Sequence, residues 1–188
     1  PSGILRHLPD PETFREACMH IKVGDHVSME KIKQRLRAGG YFQVSHVDQP
    51  LCFAWRGGIV DVYSINCDSP VRIEFFDDEV DSIRTFDPDT QKTIAPLSSV
   101  TIIPALEVLF SQEEVEEITQ KANQILLEQK DVLLDTAVKD DLTLLKEGIR
   151  EQRLYPYTAL LAATSGLWDY MQKPLVIYSN VNAIQDAV

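Results

Sequence analysis

Four carboxylates, Asp77, Asp78, Glu79 and Asp81, are crowded into one short stretch, and oxygen ligands at that density suit a hard cation such as Mg²⁺ or Ca²⁺. Asp77-Asp78 also separates two runs rich in β-forming residues, however, and a tight two-residue hairpin turn splays its side chains into solvent. An acid/base pair would further need a pocket that raises one carboxyl pKa, and no segment marks one. The run just before the turn carries different chemistry. In Val71-Arg72-Ile73-Glu74-Phe75-Phe76, strand alternation sends Val71, Ile73 and Phe75 to one face and Arg72, Glu74 and Phe76 to the other. The first set is core. The second combines arginine with an aromatic, residue types over-represented at the energetic centres of protein interfaces. Arg56, just before Gly57-Gly58, can add a second guanidinium to the same face. The plainer reading of these residues is an Arg–Glu pair with Phe76 tucked under a loop.

Other chemistries find little support. The glycine pairs Gly39-Gly40 and Gly57-Gly58 lack the Gly-Lys-Ser/Thr ending of a phosphate-cradling loop, and no G-x-S-x-G elbow occurs. Cys18, Cys52 and Cys67 are odd in number and include no C-x-x-C, which reads as free thiols of a reducing compartment. The four histidines are scattered. No catalytic, cofactor-binding or metal-ligating residues are therefore assigned. A net charge of −11 over 188 residues disfavours autonomous binding to duplex DNA or an anionic membrane surface. No apolar run reaches bilayer-spanning length, and the first residues lack a secretory leader pattern.

The elements that must position these residues change character along the chain. Asp10-Pro11 opens a helix whose apolar stripe is Phe14, Ala17, Cys18 and Ile21. A second helix follows Ser28, carries Met29, Ile32 and Leu36, and stops at Gly39-Gly40. Strands are expected at 41–47, 52–56, 59–65, 71–76, 79–86 and 99–103, forming an antiparallel meander. Ser111-Gln112-Glu113-Glu114 is a capping box for a helix reaching about Lys130. Leu142, Leu145 and Ile149 mark another helix, and the apolar stretch 158–171 predicts a further, buried one. Leu175–Tyr178 resembles a strand of a parallel sheet, and Asn180 caps a helix only one turn before the last residue, so the chain is expected to be part of a longer protein. The fold class is α+β: an antiparallel β-meander domain with flanking helices, attached to helices and part of an incomplete α/β layer.

The text Phe53-Ala54-Trp55-Arg56-Gly57-Gly58-Ile59-Val60-Asp61-Val62-Tyr63, then Pro70 through Arg84, then Thr85-Phe86-Asp87-Pro88-Asp89-Thr90-Gln91, resembles the UvrB-homology region of the bacterial transcription-repair coupling factors, the Mfd family. UvrB shares this module more distantly. The likeness is dense from about Ile21 to Pro104. It implies a UvrA-binding domain over 21–110, with 1–20 the end of a preceding α/β domain and 111–188 a helical segment returning into that host. It implies contacts with UvrA through an arginine before the glycines and through the arginine and phenylalanine of an R-x-x-x-F strand, here Arg56, Arg72 and Phe76, expected as one exposed patch. In this sequence Ser64-Ile65-Asn66 replaces the family's usual Pro-rich turn.

The resemblance further implies a cytoplasmic protein that recruits UvrA for excision repair at stalled RNA polymerase, and no enzyme activity in this segment. RNA polymerase and DNA would be contacted by other domains, among them an ATP-driven translocase motor. The alternatives are the same module of UvrB itself and, in a different class, a metal-dependent enzyme built on Asp77–Asp81. Lacking a loop that converges backbone N–H groups on a triphosphate, the isolated chain should show no saturable ATP binding by calorimetry and no hydrolysis above a buffer blank.

Overall fold

Phe53–Val62 folds back on itself at Gly57-Gly58, which sets Arg56 opposite Ile59 and Ala54 opposite Asp61. From this hairpin the meander extends strand by strand. The computed structural model describes residues 6–128, 132–149 and 151–173. They fall into two units, one of residues 16–106 with 147–151, the other of the remaining described residues. The stretch 175–178 and the cap at Asn180 lie outside the described residues.

Helix α1 (Pro11–Ala17) comes first; in the first unit β1 (Met19–Lys22) then precedes helix α2 (Met29–Ala38), followed by β2 (Phe42–Gln43), β3 (Cys52–Arg56), β4 (Ile59–Val62), β5 (Val71–Phe76), β6 (Glu79–Phe86), β7 (Thr93–Leu97) and β8 (Ser99–Ile102). Strands β2 to β7 form one open sheet in sequence order, while β8 leaves it to pair with β1. The architecture is α+β as expected, but the sheet is mixed: the short β2 runs parallel to β3. Strand β7 was not anticipated, because Thr93-Ile94-Ala95-Pro96-Leu97 has no apolar alternation. As an edge strand it tolerates proline, and β6 supplies its pairing.

The helix opened by Asp10 is shorter than its apolar stripe predicts. Asp10 Oδ1 accepts the N–H groups of Glu12 and Thr13 as a cap should, yet α1 ends at Ala17. Met19 and Ile21 are buried in alternation, in register with Ile102 and Val100 of β8. Strand pairing overrides the helical spacing there. The turn after β4 is fixed by polar contacts in place of proline. The Tyr41 hydroxyl and Ser64 Oγ lie 2.7 Å apart, Ser64 Oγ donates to Asn66 Oδ1, and Asn66 Nδ2 donates to the Thr101 carbonyl.

The main core lies on the inward face: Phe53, Val60, Val62, Val71, Ile73 and Ile83 packed with Ile32 and Leu36 of α2. An irregularity opposite Glu74-Phe75 leaves Asp81 unpaired on β6, so Val80 and Ile83, three positions apart, both point inward. A smaller cluster of Val47, Cys52, Ala54 and Phe86 occupies one end of the outer face.

In the second unit the capping box forms as expected. Ser111 N–H donates to Glu114, Glu114 N–H donates to Ser111 Oγ, and α3 runs over Gln112–Glu128. It packs with α4 (Val132–Lys146) around Ile118, Ala122, Leu142, Leu145 and Leu154. The single helix expected over 158–171 is instead two 3-10 segments, Gln152–Leu160 and Leu167–Tyr170. Pro156 has no N–H to give an α-helical ladder, and Gly166 adopts an extended conformation between the two segments.

The β3–β4 turn aims Arg56, so its glycines matter most for the outer face. Gly57 has φ of 58°, and a methyl group at Gly58 would sit 2.8 Å from the Phe75 carbonyl oxygen. Gly58→Ala should therefore destabilise the fold by about 1–3 kcal/mol in denaturant or thermal unfolding. An unchanged midpoint would show that the β5 backbone yields there freely.

Candidate protein-binding face

The register lays the outer face out in rows. One row runs Ala54, Asp61, Arg72, Arg84 across β3 to β6; the next runs Arg56, Ile59, Glu74, Ser82; the last pairs Phe76 with Glu79. Rows are about 7 Å apart, since a strand rises roughly 3.4 Å per residue.

Asp61 is the centre of the first row. Its carboxylate is buried, 1% exposed, on a strand whose neighbours Val60 and Val62 point into the core. Burying an unpaired carboxylate costs several kcal/mol, of order the stability of a whole domain. Here three hydrogen bonds offset that cost. Arg72 donates from Nε to Oδ1 at 2.7 Å and from Nη2 to Oδ2 at 2.8 Å, a bidentate fork, and Arg56 Nη2 donates to Oδ2 at 3.0 Å. Small Ala54, directly opposite, leaves room for the carboxylate.

Arg72 is held from two further directions. Its guanidinium lies 4.6 Å from the centroid of the buried Phe86 ring, and Nη2 also reaches Gln91 Oε1 at 3.3 Å. Gln91, at φ 61°, donates in turn to the Val47 and Pro88 carbonyls, joining the loops on either side of this end of the sheet. The hydrogen bonds to Asp61 raise the Arg72 pKa further, so the guanidinium stays charged at any working pH. Asp87 steadies the same loop. Its carboxylate accepts the Thr90 N–H and hydroxyl, which hold its pKa below the usual range. Arg84 faces Arg72 directly across β5 and β6, but its charge is taken up by an ion pair with Glu74, which also accepts a hydrogen bond from Ser82 Oγ.

The three residues singled out from the sequence thus share one face but not one degree of exposure. Phe76 is 79% exposed and Arg56 56%, whereas Arg72 is only 19% exposed. Of the residues expected as one exposed patch, Phe76 and Arg56 are exposed, while Arg72 is largely covered by Asp61 and Phe86. Arg56, Arg72, His46, Ile59 and Gln91 line an open hollow beside the patch. Sequence reasoning passed over Asp61 and Gln91. A signal for Asp61 was available, since a carboxylate between two core valines, set opposite alanine by a two-residue glycine turn, must find a cation on the same face.

The carboxylates of the hairpin do not converge, and Glu79 lies on the outer face opposite Phe76. Asp77, at φ 56°, and Asp78 form the turn, and they are exposed along with Glu79 and Asp81. Among the described residues no three His, Cys, Asp or Glu side chains converge. Among the same residues no helix is long and apolar enough to cross a membrane.

Comparison with known proteins defines the class. Residues 19–108 match the family model of the UvrB interaction domain, and this part of the chain belongs to that family. The chain is 32% identical over 98% of its length to the transcription-repair-coupling factor of Bacillus subtilis. It is 36% identical over 61% of its length to that of Haemophilus influenzae. UvrABC system protein B of Thermotoga petrophila is 34% identical over 64% of the chain. The aligned region covers 17%, 10% and 19% of these relatives, so the chain spans less than a fifth of their length. Residues 19–108 thus form a UvrB interaction domain, and the likeness to the Bacillus subtilis factor extends over the flanking residues as well.

The two arginines should separate in a melting experiment. Arg72→Ala strands a buried carboxylate with one partly exposed partner and should cost about 3 kcal/mol or more. Arg56→Ala removes a half-exposed pairing and should cost less than about 1 kcal/mol. Equal losses for the two variants would contradict this division.

Proposed function

We propose that the outer sheet face carrying Arg56, Arg72 and Phe76 docks on UvrA, and that the whole protein is a transcription-repair coupling factor that recruits UvrA where RNA polymerase has stalled. The observation that carries this reading is that fixed guanidinium groups and a bare aromatic ring share one sheet face. Asp61 holds Arg56 and Arg72 in place, and Phe76 stands 79% exposed two rows away on a domain of the UvrB interaction family. An exposed phenylalanine on the same face as arginine is costly to leave in water and suited to a protein interface. In this reading residues 21–110 are the binding domain, 1–20 and 111–188 belong to its host, and RNA polymerase, DNA and the ATP-driven motor engage other parts of a cytoplasmic protein.

A UvrB parent is the second reading. The coverage favours a coupling factor: the Bacillus subtilis factor aligns with 98% of the chain, against 64% for the UvrABC system protein B of Thermotoga petrophila.

Phe76→Ala and Arg56→Ala should each weaken UvrA binding by about 2 kcal/mol, some thirtyfold, without moving the melting temperature appreciably. Arg84→Ala, whose charge is committed to Glu74, is the control and should change affinity little. Losses that are equal at all three positions, or absent at all three, would remove the site from this face.

A further inference from the structure

Resting on that reading, we propose that Asp61 is a positioning residue for partner binding: it holds the Arg56 guanidinium so that the remaining N–H groups face a carboxylate of the partner, while Arg72 serves as its buttress. Asp61 has two cationic neighbours of unequal kind. Arg72 gives it a bidentate fork from directly across the β4–β5 ladder and is itself four-fifths covered. Arg56 reaches it diagonally with one nitrogen, Nη2 at 3.0 Å, and is more than half exposed.

A guanidinium carries five N–H donors in a rigid plane. The carboxylate contact uses one edge of Arg56, which leaves donors on the solvent side with their direction set. An arginine at a strand end next to two glycines would otherwise sample many rotamers, and ordering it on binding would cost roughly 0.5–1.5 kcal/mol. Asp61 meets that cost within the fold. Two guanidinia on one carboxylate also leave a local positive charge on a chain whose net charge is −11. The complementary chemistry is a partner carboxylate, which a guanidinium binds through paired hydrogen bonds. The hollow lined by His46, Ile59 and Gln91 alongside both arginines gives such a group room to approach.

The test is a double-mutant cycle on UvrA affinity, measured by calorimetry at a temperature where melting shows every variant folded. Asp61→Asn should weaken binding about tenfold or more, and adding Arg56→Ala in that background should cost less than about threefold further. Phe76→Ala should retain its full effect in the Asp61→Asn background. If the Asp61→Asn and Arg56→Ala losses instead multiply, Asp61 serves the fold alone and the inference fails. If neither Phe76→Ala nor Arg56→Ala changes affinity in the wild-type background, the docking face itself is misplaced, a distinguishable failure.

Should Asp61→Asn not fold, the wild-type protein decides the matter. Arginine side-chain ¹⁵N relaxation on the free protein should give Arg56 Nε an order parameter near that of Arg72. The exposed Arg15 of α1 should lie below about 0.6. An Arg56 as mobile as Arg15 would overturn the proposal.

Discussion

A carboxylate buried on a strand of valines constrains this sheet more than any apolar contact. Asp61 must be charge-paired or it opposes folding by several kcal/mol, and the pairing it finds dictates the face around it. It requires Arg72 directly across the ladder, Ala54 rather than a larger residue on the other side, and a turn tight enough to bring Arg56 back within reach. Arg72, so held, covers Phe86 and accepts Gln91 as a neighbour, which fastens the loop after β6 to the segment around Val47. The cost is therefore spread over a network in which the described lone pairs of Asp61 are met. Such a network tolerates the loss of an exposed member far better than the loss of a buried one.

The same network explains why a surface with three arginines is not simply a positive patch. Arg84 neutralises Glu74 and Arg72 neutralises most of Asp61, so what remains presented is the outer side of Arg56 and the ring of Phe76. Arg72 and Arg84 stand side by side in the ladder, where like charges destabilise unless each has its own counter-ion. Each does. An anionic chain can in this way keep a small, oriented cationic and aromatic surface without the long-range field that would attract nucleic acid.

Much of this was legible from residue order. Strands β3, β5 and β6 have the limits that alternation and turn residues indicated, and the Gly57-Gly58 and Asp77-Asp78 hairpins set the register that puts Arg72 and Phe76 on one face. The misses have specific physical causes. Met19–Lys22 carries a helix-compatible spacing that only its pairing with β8 turns into a strand, and residue order does not display that partner 80 positions away. Thr93–Leu97 is an edge strand with proline and no buried alternation, so local pattern is silent. Gly166, extended between two 3-10 segments, divides what composition alone suggested was one helix over 158–171. On the face itself, alternation could say which side chains point outward but not how deeply. The covering of Arg72 depends on Asp61, Phe86 and Gln91 arriving from three separate segments.

In the proposed docking, UvrA is received on the Asp61-anchored face. Hydrogen exchange of the chain alone and in saturating UvrA tests it most directly, because each segment reports separately. New protection is expected in 54–62 and 71–79, which carry the Arg56 turn and the Phe76 hairpin, with the helices at 112–128 and 132–146 unchanged. Protection confined to those helices, or to the β7 edge at 93–97, would contradict it.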